Sequence, residues 1–542
     1  SLGWLGCGRG AASVGEGHGV DEMWRLAGFA AATALVAHGG ARSAARSTAL
    51  DRTPSRPKQY TLALHRNVSN LGEQLGQPSQ AVGRWVVRLD GGTPTPTLEA
   101  CGELCAEYLN RSAAPEMAQC RSFTRYAAES SFAGQCYGHV DPMWLPLSGV
   151  GPSGSTVADS GVVVRPCASA FDCSHNGVCS GGLCVCTQGW TGRRCETLDL
   201  LPVDRQRYGF SPVDASGQNL SSWGGSVLAE NGVWHMWAAR MVDFCGIGQW
   251  EQNSQIVHAT ASHVLGPYTE RDTVAPVFAH EPCVTKDPLT GTLLMVSVNY
   301  PVTGRYSNTS VFNASGICTC TANCTRAAVG SRHKCNNCSN AGHHPFLPII
   351  RTAPAASGPW AETLSPVLGD SDSNLACWIN GSGALDCNGR GGGVYARSPD
   401  WTNLSSWRDF ERDPAPRFVS SGPDDEDPML WQDVATGVWH SIQHNLEGPH
   451  MCEGQLCQVG THQFSLDGQQ WYSTGTAYTN LVAYTDGSTH LFDRRERPHM
   501  VFAENSTVPV ALSNAVRPGG QDGDRTFTLV QGLRQLPRTS DG

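Results

Sequence analysis

The chain has little charge and no basic face. Asp, Glu, Lys and Arg make up 16% of its 542 residues, and the net charge of -10 is spread along the sequence. No Lys/Arg stripe supplies a nucleic-acid footprint, so no nucleic-acid partner is expected. A Ser-His-Asp signature, a phosphate-binding glycine loop and a dinucleotide fingerprint are all missing. GRGGG at 389–393 is glycine-rich but lacks the strand-to-helix context of a phosphate loop. Beyond the first few dozen residues no run approaches the roughly 18 apolar residues that a membrane helix needs. The ending TFTLVQGLRQLPRTSDG carries no anchor tail. No membrane span is therefore expected.

What is present is turn-rich and cysteine-rich. The chain holds 61 Gly, 32 Pro and 16 Trp and is 40% hydrophobic, a composition suited to short strands joined by tight turns. Its length implies two to four domains. It opens on Ser1, and residues 1–22 read as a non-native leader. From Met23 the stretch MWRLAGFAAATALVAHGGARSAA has one Arg, an apolar run from Leu26 to Ala37 and then small residues. Residues 23–45 read as a signal peptide cleaved between Ala41 and Ala45. The rival is a translated leader with an Ala-rich helix. The 22 Cys belong in an oxidising compartment. Asn-x-Ser/Thr sites occur at Asn67, Asn110, Asn219, Asn308, Asn313, Asn323, Asn337, Asn380, Asn403 and Asn505. The mature chain is expected to be secreted, extracellular or cell-wall associated.

The tightest cysteine cluster is CASAFDCSHNGVCSGGLCVCTQGWTGRRC, spaced C-x5-C-x5-C-x4-C-x-C-x8-C. A unit of about 30 residues cannot bury enough apolar surface to fold without covalent staples. Six cysteines allow 15 pairings by counting alone. Zinc ligation is the rival reading, and no His–Cys pattern supports it here. With Asn176-Gly177 before the third Cys and Gly189-Trp190-Thr191-Gly192 before the last, residues 167–196 closely resemble an EGF-like module. The resemblance implies the pairs Cys167–Cys179, Cys173–Cys184 and Cys186–Cys195, and two small hairpins. The stretch VVVRP before Cys167 lacks the acids of the calcium-binding subtype. Upstream, TLEACGELCAEYLNRS, CRSFTRY and CYGHV place a helix bearing Cys101 and Cys105 beside strands bearing Cys120 and Cys136. This looks like a PAN/apple-type module within residues 60–166. An unrelated two-disulfide α+β module is the alternative. Either kind offers protein or glycan contacts and no chemistry.

From Asp199 the pattern changes to short strand-like runs separated by Gly, Asp and Asn turns. NGVWHMWAAR (231–240) and TGVWHSIQHN (436–445) repeat a turn followed by Gly-Val-Trp-His, and TGTLLMVSVN (290–299) repeats the turn and strand. IVHATA and GVYARS read as following strands, and SLDGQQWYS as another hairpin. Unit starts fall near Trp223, Phe278, Asn374, Glu426 and Glu496, unevenly spaced because of an insertion at 301–350. Recurring four-strand units of this size predict propeller blades. The fold class is therefore multidomain and mainly β: a five-bladed β-propeller over 199–535, preceded by small disulfide-rich modules.

The segments SSWGGSVLAENGVWHMWAARM, AHEPCVTKDPLTGTLLMV, EDPMLWQDVATGVWH, HQFSLDGQQW and RRERPHMVFAEN resemble the five-bladed propellers of glycoside hydrolase family 43 and relatives. That resemblance implies inversion by an Asp base, a second Asp that tunes the acid, and a Glu acid, on separate blades. Glycoside hydrolysis needs one carboxyl that stays protonated and another that acts as base or nucleophile. This chain departs from the pattern. Blade one has Gly224 and Gly225 where an Asp is expected, and Asn374 stands near the place of the Glu acid.

The relocated catalytic candidates are Glu281, Asp427, Glu426, Glu496 and Asp243. The candidates for substrate contact are Trp223 and Trp250 as stacking platforms, with His280, Arg390, Arg497 and His499. Asp424 and Asp425 read as a solvated turn, and EGPH at 447–450 as a coincidental match to the family's acid setting. Cys452 and Cys457 are expected to close a small loop, and Cys377 and Cys387 to bridge a hairpin. The insertion, with Cys318, Cys320, Cys324, Cys335, Cys338, His343 and His344, reads as a glycosylated, disulfide-tied flap rather than a zinc knuckle. Eleven cysteines between Cys245 and Cys457 leave one odd. No metal and no cofactor is assigned, and a structural calcium in the propeller is left open. Three readings stand: a glycoside hydrolase-like enzyme on an extracellular polysaccharide, a catalytically inactive glycan-binding or adhesive protein, and a structural wall glycoprotein.

Overall fold

A computed structural model describes residues 61–65, 86–88, 94, 96–107, 122–126, 136–139, 158–164, 166–217, 219–242, 244–277, 279–299, 347–363, 375–389, 395–409, 417–418, 426–445, 452, 456–519 and 524–535. The leader and signal-peptide expectations lie outside this set, as do Asp243, Phe278, Asn374, Arg390, Asp424, Asp425 and residues 447–450. So does the insertion up to residue 346. Its expected end at 350 is corrected: Leu347–Ala353 is a blade strand. Among the described residues, no helix is long and apolar enough to cross a membrane.

Each propeller unit begins with a hairpin. In the first, Ser222–Glu230 pairs with Val233–Met241, and Glu230 opposes Val233. The two-residue loop Asn231-Gly232 has φ of 53° and 74°. Both values belong to the turn whose twist matches paired strands, and Asn-Gly is the dipeptide that tolerates it. The sheet continues with Ser254–Ala261 and Thr269–Ala275. Blade two holds Ala279–Lys286, Leu293–Asn299, Leu347–Ala353 and Ala361–Thr363. Blade three holds Ala376–Ile379, Leu385–Asn388, Tyr395–Ser398 and Arg408–Asp409. Blade four holds Glu426–Gln432, Trp439–His444, Gln458–Ser465 and Gln470–Thr479, with Arg417–Phe418 parallel to the last.

Blade five has Arg494–Phe502, Pro509–Arg517 and Phe527–Gly532. Its outer edge is completed by the segment that precedes blade one. Leu200 bridges Leu533 and Phe210 bridges Thr528, both antiparallel. This closes the ring by joining the two ends of the propeller in one blade. The first strand of each blade touches the first strand of the next, and that of blade five touches blade one. These five first strands therefore surround the axis.

Packing between blades is aromatic and aliphatic. Trp237 is fully buried with Ile256, Ala275, Ala279, Leu293 and Met295, which belong to blades one and two. Ahead of the propeller, Leu98–Glu107 forms a helix beside a five-stranded sheet. Thr97 caps it, its Oγ1 accepting from the Ala100 amide at 3.1 Å. Cys101 on the helix is bonded to Cys136 on a strand. The EGF-like module has hairpins Gly177–Ser180 with Leu183–Cys186, and Trp190–Thr191 with Thr197–Leu198. Its disulfides are Cys167–Cys179, Cys173–Cys184 and Cys186–Cys195. Cys377–Cys387 and Cys452–Cys457 are also bonded, and Cys283 is a buried free thiol.

Truncating Trp237 to Ala should open a cavity between blades one and two. A loss of about 3–5 kcal/mol in urea-induced unfolding is expected. A loss below about 1 kcal/mol would show that the blades do not lean on this ring.

Candidate functional site

Four of the five inner strands open in the same strained way. Gly224, Glu281, Asp427 and Arg497 have φ of 67°, 60°, 53° and 53°. At each, the pairing to the second strand slips: between Trp223 and Gly225, His280 and Cys283, Glu426 and Met429, and Glu496 and His499. These are β-bulges, which bend a strand and re-aim a side chain. Three of the four residues precede Pro282, Pro428 and Pro498, and a residue before proline already prefers extended backbone. A left-handed non-glycine residue costs about 1–3 kcal/mol and persists only where its surroundings hold it. The equivalent opening of blade three, near Asn374, lies outside the described residues.

Arg497 holds two of them. Its Nη2 lies 2.7 Å from Glu281 Oε1 and 3.1 Å from Asp427 Oδ1. Both bonds end on one nitrogen, so the two carboxylate oxygens lie at most about 6 Å apart, near the roughly 5–5.5 Å of retaining glycoside hydrolases and short of the roughly 6.5–9.5 Å of inverting ones. The Arg497 stem lies along blade one, where a Cβ on Gly224 would sit 3.0 Å from the Arg497 Cβ. Blade one thus has glycine where the resemblance implied Asp because the arginine of blade five passes there.

A second set of charges lies alongside. Arg494 Nη2 donates to Glu496 Oε2 at 2.7 Å, and its guanidinium lies 4.7 Å from the Trp223 ring centre. His444 Nδ1 is 3.3 Å from Glu426 Oε1. Glu426, Asp427, His444 and Glu496 each offer a ligand atom, all within 4.8 Å of one another. Three carboxylates and an imidazole are donors that a divalent cation accepts, although Arg494 and Arg497 already compensate part of their charge.

The electrostatics separate these groups. Burial lifts the Asp427 carboxyl to about 6; Arg497 pulls it down, while Glu426 and Glu496 push it up. Burial draws the His444 imidazole down, but Glu496, Glu426 and Asp427 outweigh it and hold it above its ordinary value. His499 is buried and lies beside Arg497, which together lower it to about 3. His280 is lowered by the same two causes. Both are neutral: His499 Nδ1 meets Ser226 Oγ at 3.3 Å, and His280 Nδ1 meets Ser254 Oγ at 2.6 Å. Burial pushes the Cys283 thiol up to about 11, so it is not a nucleophile at neutral pH. Glu281, Cys283, Asp427, Arg497 and His499 share a cavity of about 10 Å³, the size of one water. A larger cavity of about 440 Å³ follows the far halves of the inner strands, lined by Val227, Val284, Trp378, Leu430 and Phe502. None of the four clustered acids lines it.

The structure thus brings Glu281, Asp427, Glu426, Glu496 and Arg497 to one place, with His280 and His499 beneath them. Trp250 lies against the His280 ring, with centres 5.0 Å apart. Trp223 is placed differently from expectation. It is buried among Ala239, Met241, Cys245 and Ala515, with Arg494 over its ring, so that face is closed to a sugar. Asp243 and Arg390 lie outside the described residues. Sequence reasoning missed Arg494 and His444. It also missed Arg495, fully buried and bonded to Asn514 Oδ1, the Thr479 carbonyl and Gln531 Oε1 at 2.9–3.0 Å. The alternation of side chains along RRERP was the available signal: alternate residues of a strand face the same side.

Because Asp427 holds its proton more tightly folded than unfolded, its ionisation destabilises the fold as pH rises from about 4 through about 6. Asp427→Asn should exceed the wild type in stability by about 1–3 kcal/mol at pH 7. The gap should close near pH 4, as read by thermal unfolding across pH. A gap that does not vary with pH would contradict a raised Asp427.

Residues 171–197 match the Teneurin-like EGF domain family. No curated protein matches the chain in sequence. Solved structures with a similar fold include the catalytic domain of a family 62 α-L-arabinofuranosidase from Coprinopsis cinerea, at 12% identity and a TM-score of 0.37, covering 61% of this chain and 98% of that one. A family 117 glycoside hydrolase from Zobellia galactanivorans is similar at 10% identity and a TM-score of 0.38, covering 62% and 90%. A putative exo-β-1,3-galactanase from Bifidobacterium bifidum is similar at 13% identity and a TM-score of 0.35, covering 62% and 98%.

Proposed function

We propose that the propeller acts on an extracellular polysaccharide, and that Asp427 and Glu281 are the acid and the companion carboxylate of a glycoside hydrolase-like site. The observation that carries this reading is the pair of carboxyls from two blades meeting at one nitrogen of Arg497. Burial keeps a proton on Asp427 into the mildly acidic range. Glu281 bonds the same guanidinium at the shorter distance, 2.7 Å. In hydrolysis, Asp427 gives its proton to the glycosidic oxygen as the C–O bond breaks. Glu281 either takes a proton from the water that adds to the anomeric carbon or attacks that carbon first. Arg497 orients both, and Trp250 beside His280 supplies an aromatic face for a sugar ring. The disulfides and the EGF-like module support an oxidising, extracellular setting. The module at 60–166 is read as apple-like and, with the EGF-like module, as a protein- or glycan-binding attachment.

One observation favours a second reading, binding without turnover. Glu281 and Asp427 are paired with Arg497, Glu496 with Arg494 and Glu426 with His444. Such a compensated cluster can close the ring of blades and leave the funnel as a glycan platform.

Release of reducing sugar from a panel of plant, algal and microbial polysaccharides separates the two. Hydrolysis is expected, falling by about 10²–10⁴-fold in Asp427→Asn and Glu281→Gln. The configuration of the released sugar distinguishes Glu281 as base from Glu281 as nucleophile. Binding with no release in the wild type would leave the platform reading in place. Release that survives both substitutions would remove these residues from the chemistry.

A further inference from the structure

The EGF-like module sits on blade four through histidines. Trp190 of the module lies 4.6 Å from the His462 ring, centre to centre. His462 is fully buried and continues into a stack: His440 at 5.3 Å, then Trp431 at 5.3 Å from His440. His440 Nδ1 and His462 Nε2 are 3.0 Å apart. The module's Asn176 Nδ2 is 3.4 Å from His462 Nδ1, and the same amide nitrogen donates to the Cys195 carbonyl at 3.2 Å. Around the stack, His175 packs on Phe464 at 4.8 Å, and Phe171 packs on Phe464 and Tyr472 at 5.0 Å each.

This geometry excludes a charged ring. A neutral imidazole has one donor and one acceptor, whereas imidazolium has two donors and no acceptor. Thr474 Oγ1 lies closer to His462 Nδ1, at 2.9 Å, and gives its own proton to the His462 carbonyl at 3.1 Å, so Nδ1 donates to Thr474 and Nε2, facing His440 Nδ1, is the ring's acceptor. A second proton on His462 would fall on Nε2 and set donor against donor at His440 Nδ1. Blade one supplies the contrast. His235 Nδ1 and His258 Nε2 are 2.9 Å apart in the same strand positions, but His258 Nδ1 faces Asp272 Oδ2 at 3.2 Å. The partner there is a carboxylate oxygen, which can only accept. In blade four, the Thr474 hydroxyl at 2.9 Å and the module's Asn176 amide at 3.4 Å stand at that nitrogen.

We propose that the EGF-like module and blade four form a pH-sensitive joint, in which mild acidification protonates the histidine stack and releases the module from the propeller. Burial holds His462 and His440 below their ordinary values, and burial does the same to His175. The charged groups acting on the stack from both sides are few. From blade four, Asp433 opposes the lowering of His440; from the module, His175 reinforces it for both rings. The remaining His462 neighbours, Thr474 and Trp190, are uncharged. Released, His462 loses its cover by Trp190 and His175 its packing on Phe464, and both rings return toward an ordinary pKa of about 6.5. Docking is therefore complete above about pH 6.5 and weakens as pH falls below it, by about tenfold per pH unit for each histidine that is kept neutral.

The Gly189 amide reports the joint, because it donates from the module to the Arg534 carbonyl beyond blade five, at 3.1 Å. In the full chain, hydrogen exchange corrected for intrinsic rate should show Gly189 protection falling about 10–100-fold between pH 6.5 and pH 5.5. A blade-one amide such as Val257 should stay protected. In His462→Gln the fall should shrink by about tenfold, and His175→Gln provides a second variant that leaves the stack in place. Unchanged Gly189 protection in the wild type would overturn the proposal. Parallel loss at Val257, or full pH dependence in both variants, would overturn it as well.

Discussion

One nitrogen of Arg497 bonds Glu281 of blade two and Asp427 of blade four, and the arginine itself opens blade five. Its stem crosses blade one at Gly224. Four blades therefore meet along a single arginine side chain. Three left-handed residues before proline are unfavourable taken singly. They are held because each ends in a charge that finds its partner only when the blades have closed. Backbone strain, charge pairing and ring closure are thus one feature seen at three scales. The buried acids and arginine also explain each other, since a lone buried charge would be costly and a paired one need not be.

The same arrangement sets the chemistry open to the funnel. Water-excluded carboxyls crowded around two arginines cannot all behave alike. Burial and the neighbouring Glu426 and Glu496 push Asp427 up, while Arg497 pulls against them. His499 and His280 stay neutral beside it because burial disfavours their charged form and the Arg497 guanidinium repels a second positive charge. An acid whose burial raises its hold on a proton is what acid chemistry on a glycosidic bond requires.

Much of the fold was legible in the chain. Gly-Val-Trp-His recurs in blades one and four because the second strand of each starts from a tight turn and buries the motif's histidine. Acid-Pro and Arg-Pro recur because the inner strands of blades two, four and five start with a bulge. The EGF-like spacing stood out because a module that small depends on its disulfides. What escaped was long-range. Trp223 looks like a sugar platform in SSWGG, yet Arg494, some 270 residues on, covers its ring. The missing Asp of blade one looks like a lost catalytic group until Arg497 is seen to pass over Gly224. His444 carries no local sign of its partner Glu426, and His462 carries none of Asn176. Spacing along a strand reveals which face a side chain takes, but not which distant blade or module will meet it.

The state of Asp427 is the point on which the functional reading turns. A titration of the Asp427 carboxyl carbon by NMR in the intact chain, assigned by comparison with Asp427→Asn, measures it directly. A midpoint near pH 6 is expected from its burial among Glu426, Glu496 and Arg497. A midpoint at or below the ordinary aspartate value of about 3.9 would mean that Arg497 dominates. The cluster would then be an ion-paired clasp with no proton to donate.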